Sequence, residues 1–263
     1  MKIPVYQIDA FTDKAFGGNP AAVCPLEFWP ENEIMQKIAA ENNLSETAFF
    51  VNKGEFIEIK WFTPKVEIEL CGHATLATTY VIFNFIAPEK EELKFQSMGG
   101  ELRVTKENDL ITLNFPARMP QKSEAPAGLA EALGNTPIEI YKSRDYVLLF
   151  ESEKDIINLS PDFAELLKID AHGFICTAPG DNSDFVSRFF APQVGINEDP
   201  VTGSAHTNLI PFWAERLKKN KLHAFQLSER KGELFCEHLG ERVFISGKAV
   251  KFLQGFIEIE NPA

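Results

Sequence analysis

At 263 residues the chain is long enough for one large domain or two lobes of ordinary size, and its 44% hydrophobic content suffices for packed cores, which excludes a disordered chain. With 26 Lys+Arg against 38 Asp+Glu the formal charge is −12, so neither nucleic acid nor an anionic membrane is an expected partner. The chain shows no basic-plus-apolar leader pattern, no run near the ~20 apolar residues of a transmembrane helix, and no close cysteine pair, so a cytoplasmic protein without a disulfide framework or zinc knuckle is expected.

In chain order, residues 5–11 read as a strand, and residues 31–41 as an amphipathic helix with Ile34, Met35 and Ile38 on one face. A strand at 49–51 follows Ser45-Glu46-Thr47-Ala48, where alternation puts Glu46 on the face of Ala48 and Phe50. Trp61-Phe62-Thr63-Pro64-Lys65-Val66 then leads to Cys71-Gly72-His73-Ala74 and a stretch that is apolar nearly all round, which reads as a buried helix. Phe95-Gln96-Ser97, Gly100-Glu101-Leu102 and a strand at 110–115 complete the first half. Residues 116–126 lack periodicity, carry three prolines and read as a linker.

The second half opens with a strand at 146–150 and a helix capped by Ser160-Pro161 and running to Lys168. Phe189-Phe190-Ala191-Pro192-Gln193-Val194 leads to Thr202-Gly203-Ser204-Ala205 and a second apolar helix, which Pro211 should kink or loosen. Phe225-Gln226-Leu227, Gly232-Glu233-Leu234 and a strand at 256–259 follow. The 23 Phe are spread along the whole chain and read as core.

Three of these features recur in the same order in both halves, which indicates a duplication. The fold class that follows is α+β, with two pseudo-symmetric lobes, each a curved mixed or antiparallel sheet around one central buried helix. The lobes are expected at 1–118 and 119–263, with the last strand free to return to the first. A helix start offers unpaired N–H groups and a partial positive charge, so it holds an anion without a basic side chain. If the repeat has a pseudo-twofold axis, the starts at Gly72 and Gly203 face one cleft between the lobes and hold a carboxylate there. Those donors would stabilise the charge that builds when a proton leaves the adjacent carbon. Glu46 is the candidate base, although a solvent-facing strand residue or a helix cap explains it equally well on chemistry alone.

Phe16-Gly17-Gly18-Asn19-Pro20-Ala21-Ala22-Val23, Ser45-Glu46-Thr47-Ala48-Phe49, Leu70-Cys71-Gly72-His73-Ala74-Thr75 and Asp199-Pro200-Val201-Thr202-Gly203-Ser204-Ala205-His206 together resemble the phenazine-biosynthesis isomerase (PhzF-like) family. The resemblance implies the diaminopimelate-epimerase-like fold, a homodimer, and no metal or organic cofactor. It also implies Glu46 as catalytic acid/base, His73 and Asp199 as pocket residues, and Gly72, Gly203 and Ser204 as the anion-binding helix starts. The expected reaction is an isomerisation that moves a proton between carbons of a small carboxylic acid.

Diaminopimelate epimerase and proline racemase use one Cys at each helix start, whereas here Cys71 stands at the first and Ser204 near the second. A serine hydroxyl is too weak a base, so two-thiol racemisation is disfavoured. Cys71 is kept as a further candidate, either as a reactive thiol or as a small side chain packing the helix start. Epimerisation through Cys71 and a silent carboxylate-binding protein are the competing functions. Cys71, His73 and His206 have no carboxylate at a matching spacing, so no metal site is expected. His172, His223 and His238 carry no motif and are read as incidental, and no role is assigned to residues 231–240.

Overall fold

Residues 1–260 are described by the computed structural model and divide into two units, one from residues 1–114 with the segment from Ser246 onward, the other from Phe115–Ile245. The first contains β1 (Lys2–Ala10), β2 (Asn19–Leu26), α1 (Asn32–Asn42), β3 (Glu46–Asn52), β4 (Ile57–Phe62), β5 (Glu67–Ile68), α2 (Gly72–Val81), β6 (Glu92–Ser97), β7 (Gly100–Glu107) and most of β8 (Leu110–Pro116). The second contains β9 (Gln121–Lys122), α3 (Leu129–Leu133), β10 (Glu139–Lys142), β11 (Tyr146–Leu149), α4 (Glu153–Ile157), α5 (Phe163–Leu166), β12 (Phe174–Pro179), β13 (Phe185–Ala191), β14 (Ile196–Asp199), α6 (Gly203–Leu217), β15 (Lys221–Gln226), β16 (Gly232–Leu239) and most of β17 (Arg242–Gly247). The chain then re-enters the first unit as β18 (Ala249–Glu258), which pairs antiparallel with β1 along its whole length.

Strand pairing shows the duplication directly. In the first unit β2 runs parallel to β3, β4 is antiparallel to β3 and β5 and parallel to β6, and β6 is antiparallel to β7. In the second, β11, β12, β13, β14, β15 and β16 repeat those relations one for one. The third sequence match, however, slips by one residue. Gln96 pairs with Glu58, whereas Gln226 pairs with Ser187, the counterpart of Ile59 when Trp61-Phe62 is aligned with Phe189-Phe190. A slip of one turns a strand residue to the opposite face, and accordingly Gln96 is exposed while Gln226 is completely buried.

β3 is buried on both faces from Glu46 to Val51 because a helix covers each side. Met35, Ile38 and Ala39 of α1 pack with Phe49 and Phe62 on one face, and α2, apolar nearly all round as its sequence requires, packs on β1, β2 and β3. In the second unit α6 is buried from Ala205 to Ala214, with Trp213 stacked on Phe185 of β13 at 5.7 Å.

Several expectations need correction. Pro211 does cost α6 one helical hydrogen bond, as expected, but does not end the helix; the Thr207 carbonyl, four residues back, which the missing proline N–H would leave unpaired, accepts from the Arg118 N–H at 2.9 Å. The helix after Ser160 is only Phe163–Leu166, and its cap is Asp162, whose carboxylate accepts from the Ala164 and Glu165 N–H groups. The 116–126 stretch includes β9, which pairs with β10, and the final strand begins at Ala249 rather than 256. Not every Phe is core: Phe16, Phe28, Phe56, Phe85, Phe252 and Phe256 are exposed. No helix among the described residues is long and apolar enough to cross a membrane.

Candidate active site

The start of α2 gathers Asn19, Glu46, Cys71 and His73 from three separate stretches of the sequence. Glu46 opens β3, in register with Ala21 of β2, and is 6% exposed. Its Oε2 lies 3.0 Å from Nε2 of His73, itself 4% exposed. On the other side of the ring, Nδ1 faces Asn19 Nδ2 at 3.1 Å and Cys71 Sγ at 3.5 Å. The ring thus lies between the Glu46 carboxylate at Nε2 and the Asn19 amide and Cys71 sulfur at Nδ1.

Asn19 is placed by the loop before it. The Phe16 N–H donates to the buried Asp9 carboxylate at 2.9 Å. Gly18 adopts φ +60, where a Cβ would meet the Ala10 carbonyl oxygen at 2.0 Å, so only glycine fits. This explains Gly18 and Asn19 of the Gly-Gly-Asn-Pro signature in terms of geometry.

Electrostatics separate the three titratable groups. Burial works against the imidazolium of His73, but the Cys71 sulfur and Glu46 carboxylate together outweigh it and hold the pKa well above its ordinary value. Burial and the nearby Glu46 push the Cys71 thiol up to about 11, so it is neutral at physiological pH. Glu46, Cys71 and His73 place one ligand atom each within 4.8 Å of one another, so the carboxylate thought missing from a metal set is supplied by β3, and His206 is not part of the group. Holding a divalent cation there would require removing the thiol proton that burial retains.

α2 starts at Gly72 with Cys71 as N-cap, extended and without a side-chain capping bond, which leaves the Gly72 and His73 N–H groups open to an external acceptor. The helix dipole adds partial positive charge at the same point. The second start is built alike. α6 begins at Gly203, and its extended N-cap, also uncapped by a side chain, is Thr202; this residue, not Ser204, occupies the place of Cys71. Thr202 donates its hydroxyl to Asp199 Oδ2 at 2.6 Å and its N–H to Gln226 Oε1 at 2.8 Å, and Gln226 Nε2 donates to the Asp199 carbonyl. Asp199 therefore braces the cap residue rather than capping the helix itself.

Glu46, Cys71, Gly72 and His73 are thus together in the first unit, and Asp199, Gly203 and Ser204 in the second. Sequence reasoning missed Asn19, Thr202 and Gln226 as supports. It also missed a cluster in the second unit: the buried carboxylate of Asp145 is 2.6 Å from His172 Nδ1 and 3.2 Å from Arg144 Nη2. His172 is therefore not incidental. His223 and His238 also have partners, Glu233 at 2.9 Å and the Gly240 carbonyl at 2.9 Å.

The family model described as "Phenazine biosynthesis-like protein" matches residues 8–255. An uncharacterized isomerase of Pseudomonas aeruginosa is 49% identical over 98% of this chain and 100% of its own length. The crystal structure of a phenazine biosynthesis protein of the PhzF family from Enterococcus faecalis superposes with a TM-score of 0.96 at 46% identity, covering 98% of this chain and 100% of that one. A hydroxyproline epimerase from Agrobacterium vitis, at 7% identity, TM-score 0.66 and coverage of 99% and 94%, shares the fold alone.

Proposed function

Because the chain belongs to the family of phenazine biosynthesis-like proteins, we propose that it is a cofactor-independent isomerase that moves a proton between carbons of a small carboxylic acid, with Glu46 as the single acid/base. The observation that carries this reading is the buried Glu46–His73 pair, 3.0 Å apart at the uncapped start of α2. A base that takes a proton from one carbon and returns it to another needs a dry setting and one conjugate partner, and this pair has both. His73 steadies the carboxylate through Nε2 and is itself held by Asn19. The Gly72 and His73 N–H groups supply donors for charge developing on the substrate carboxylate. Gly203 and Ser204 are proposed to hold the substrate's anionic end at the start of α6, and Asp199 to line the pocket beside them.

Racemisation through Cys71 is less well supported. Its thiol is neutral up to about pH 11, and Thr202 at the matching N-cap is no base. Solvent deuterium incorporation into a panel of small unsaturated carboxylic acids, followed by mass spectrometry, tests the proposal. Glu46→Gln should lower exchange by about 10²–10⁴-fold. Exchange retained in that variant removes Glu46 from the chemistry.

A further inference from the structure

The duplication permits a residue-by-residue comparison of the two helix starts. Aligning Trp61-Phe62 with Phe189-Phe190, strand register equates Thr47 with Phe174, hence Glu46 with Gly173, and Ala22 with Tyr146, hence Asn19 with Ser143. His73 corresponds to Ser204. All three members of the proton-transfer set are thus replaced by residues that cannot act as a base near neutral pH. A cation stands in their place: Nη2 of Arg144, the residue after Ser143, lies 3.5 Å from Ser204 Oγ.

This guanidinium is held in place but not used up. Asp145 is 1% exposed and shares its carboxylate between His172 at 2.6 Å and longer contacts from Arg144 Nε and Nη2 at 3.4 and 3.2 Å. Gly173 keeps the space open, since a Cβ there would come within 3.2 Å of the Asp145 carboxylate and 2.5 Å of the Phe189 ring. Nη1 of Arg144 has no hydrogen-bond partner among the described residues, and the side chain is 44% exposed. Beside it, the Ser204 N–H belongs to an uncapped helix turn.

We propose that Arg144 is the specificity-determining residue of the second helix start, where its guanidinium, with the Ser204 N–H and hydroxyl, binds a substrate carboxylate. The two copies of the repeat have divided the work, one moving protons and the other recognising the anion. The forked donors of arginine match a carboxylate's two oxygens, which a lysine would not reproduce. The inference rests on the carboxylic-acid substrate proposed above, but its test needs no turnover.

The probe is acetate, titrated into isotope-labelled full-length protein at constant ionic strength while the arginine Nε–H and backbone N–H resonances are followed by NMR. Saturable shifts at Arg144 Nε–H and Ser204 N–H, weakened about tenfold or more in Arg144→Gln and only partly restored in Arg144→Lys, are expected. Absence of saturation up to about 100 mM acetate, far above a millimolar Kd, would overturn the proposal. So would unchanged affinity in Arg144→Gln, or tighter binding of inorganic phosphate than of acetate. Should Arg144→Gln fail to fold, the wild-type shift at Arg144 Nε–H decides alone. Exchange retained in Glu46→Gln while acetate still binds saturably at Arg144 sinks only the acid/base proposal, and exchange lost in Glu46→Gln without such binding in the wild type sinks only the anion-site proposal.

Discussion

Alkylation of Cys71 separates acid/base chemistry by Glu46 from chemistry by a thiolate. Burial and the Glu46 carboxylate raise this thiol from its ordinary 9.0 to about 11. At pH 8 about one molecule in a thousand would then carry the thiolate, against about one in ten for a thiol at its ordinary value, so reaction with iodoacetamide should be about 100-fold slower. Limited access slows the reaction further without changing its pH slope. Quantifying the labelled peptide by mass spectrometry should therefore show a rate that rises about tenfold per pH unit from pH 7 to 10 with no plateau. Cys24, Cys176 and Cys236, pushed higher still by burial, serve as slower internal references. A rate for Cys71 that levels off near pH 8 would show a stabilised thiolate, refute this electrostatic account and restore Cys71 as a base. Turnover surviving in Cys71→Ala is the matching functional outcome.

His73 should remain protonated well above pH 6.5, and Glu46→Gln should bring its NMR titration down; an unchanged titration would deny the pairing. Because its folded pKa is raised, its stabilising contribution is full below about pH 6.5 and fades as pH climbs through the folded value. His206 behaves oppositely: it donates Nδ1–H to the Thr202 carbonyl at 2.8 Å, its Nε2 has no hydrogen-bond partner among the described residues, and complete burial lowers its pKa to about 4. The unfolded chain takes up the proton first, so stability attributable to His206 should fall by about 2 kcal/mol between pH 7.5 and 5.0. Denaturant melts of wild type and His206→Gln at both pH values check this, and an equal pH dependence in the two would contradict it. Gly18→Ala should cost about 2–3 kcal/mol in the same melts, because its Cβ collides with backbone at positive φ; a change below about 0.5 kcal/mol would show that the loop can move.

The parts legible in sequence were those carried by neighbours in the chain. Cys71, Gly72 and His73 form a local signature at a helix start, and Glu46 stands in another at the head of a strand, so their meeting needed only the fold. Arg144, Asp145 and His172 could not be found in this way, because Asp145 and His172 are 27 residues apart and meet only through the parallel pairing of β11 with β12. The Gln96–Gln226 match shows the converse: similar letters in similar order, set on opposite faces by a single-residue shift in register. Ser160 drew the cap assignment because Ser-Pro is a strong start signal, yet Asp162 has the carboxylate within reach of two N–H groups.

The pairing of β1 with β18 also dictates an order of events on the ribosome. Roughly 240 residues separate the two strands, about 12–50 s of synthesis at 5–20 residues per second, and throughout that interval β1 lacks one neighbour. Residues 115–245 emerge completely before then. The first unit is thus completed after the second although it is begun before it, and a nascent β1 needs shielding against strand-hungry neighbours until its partner arrives.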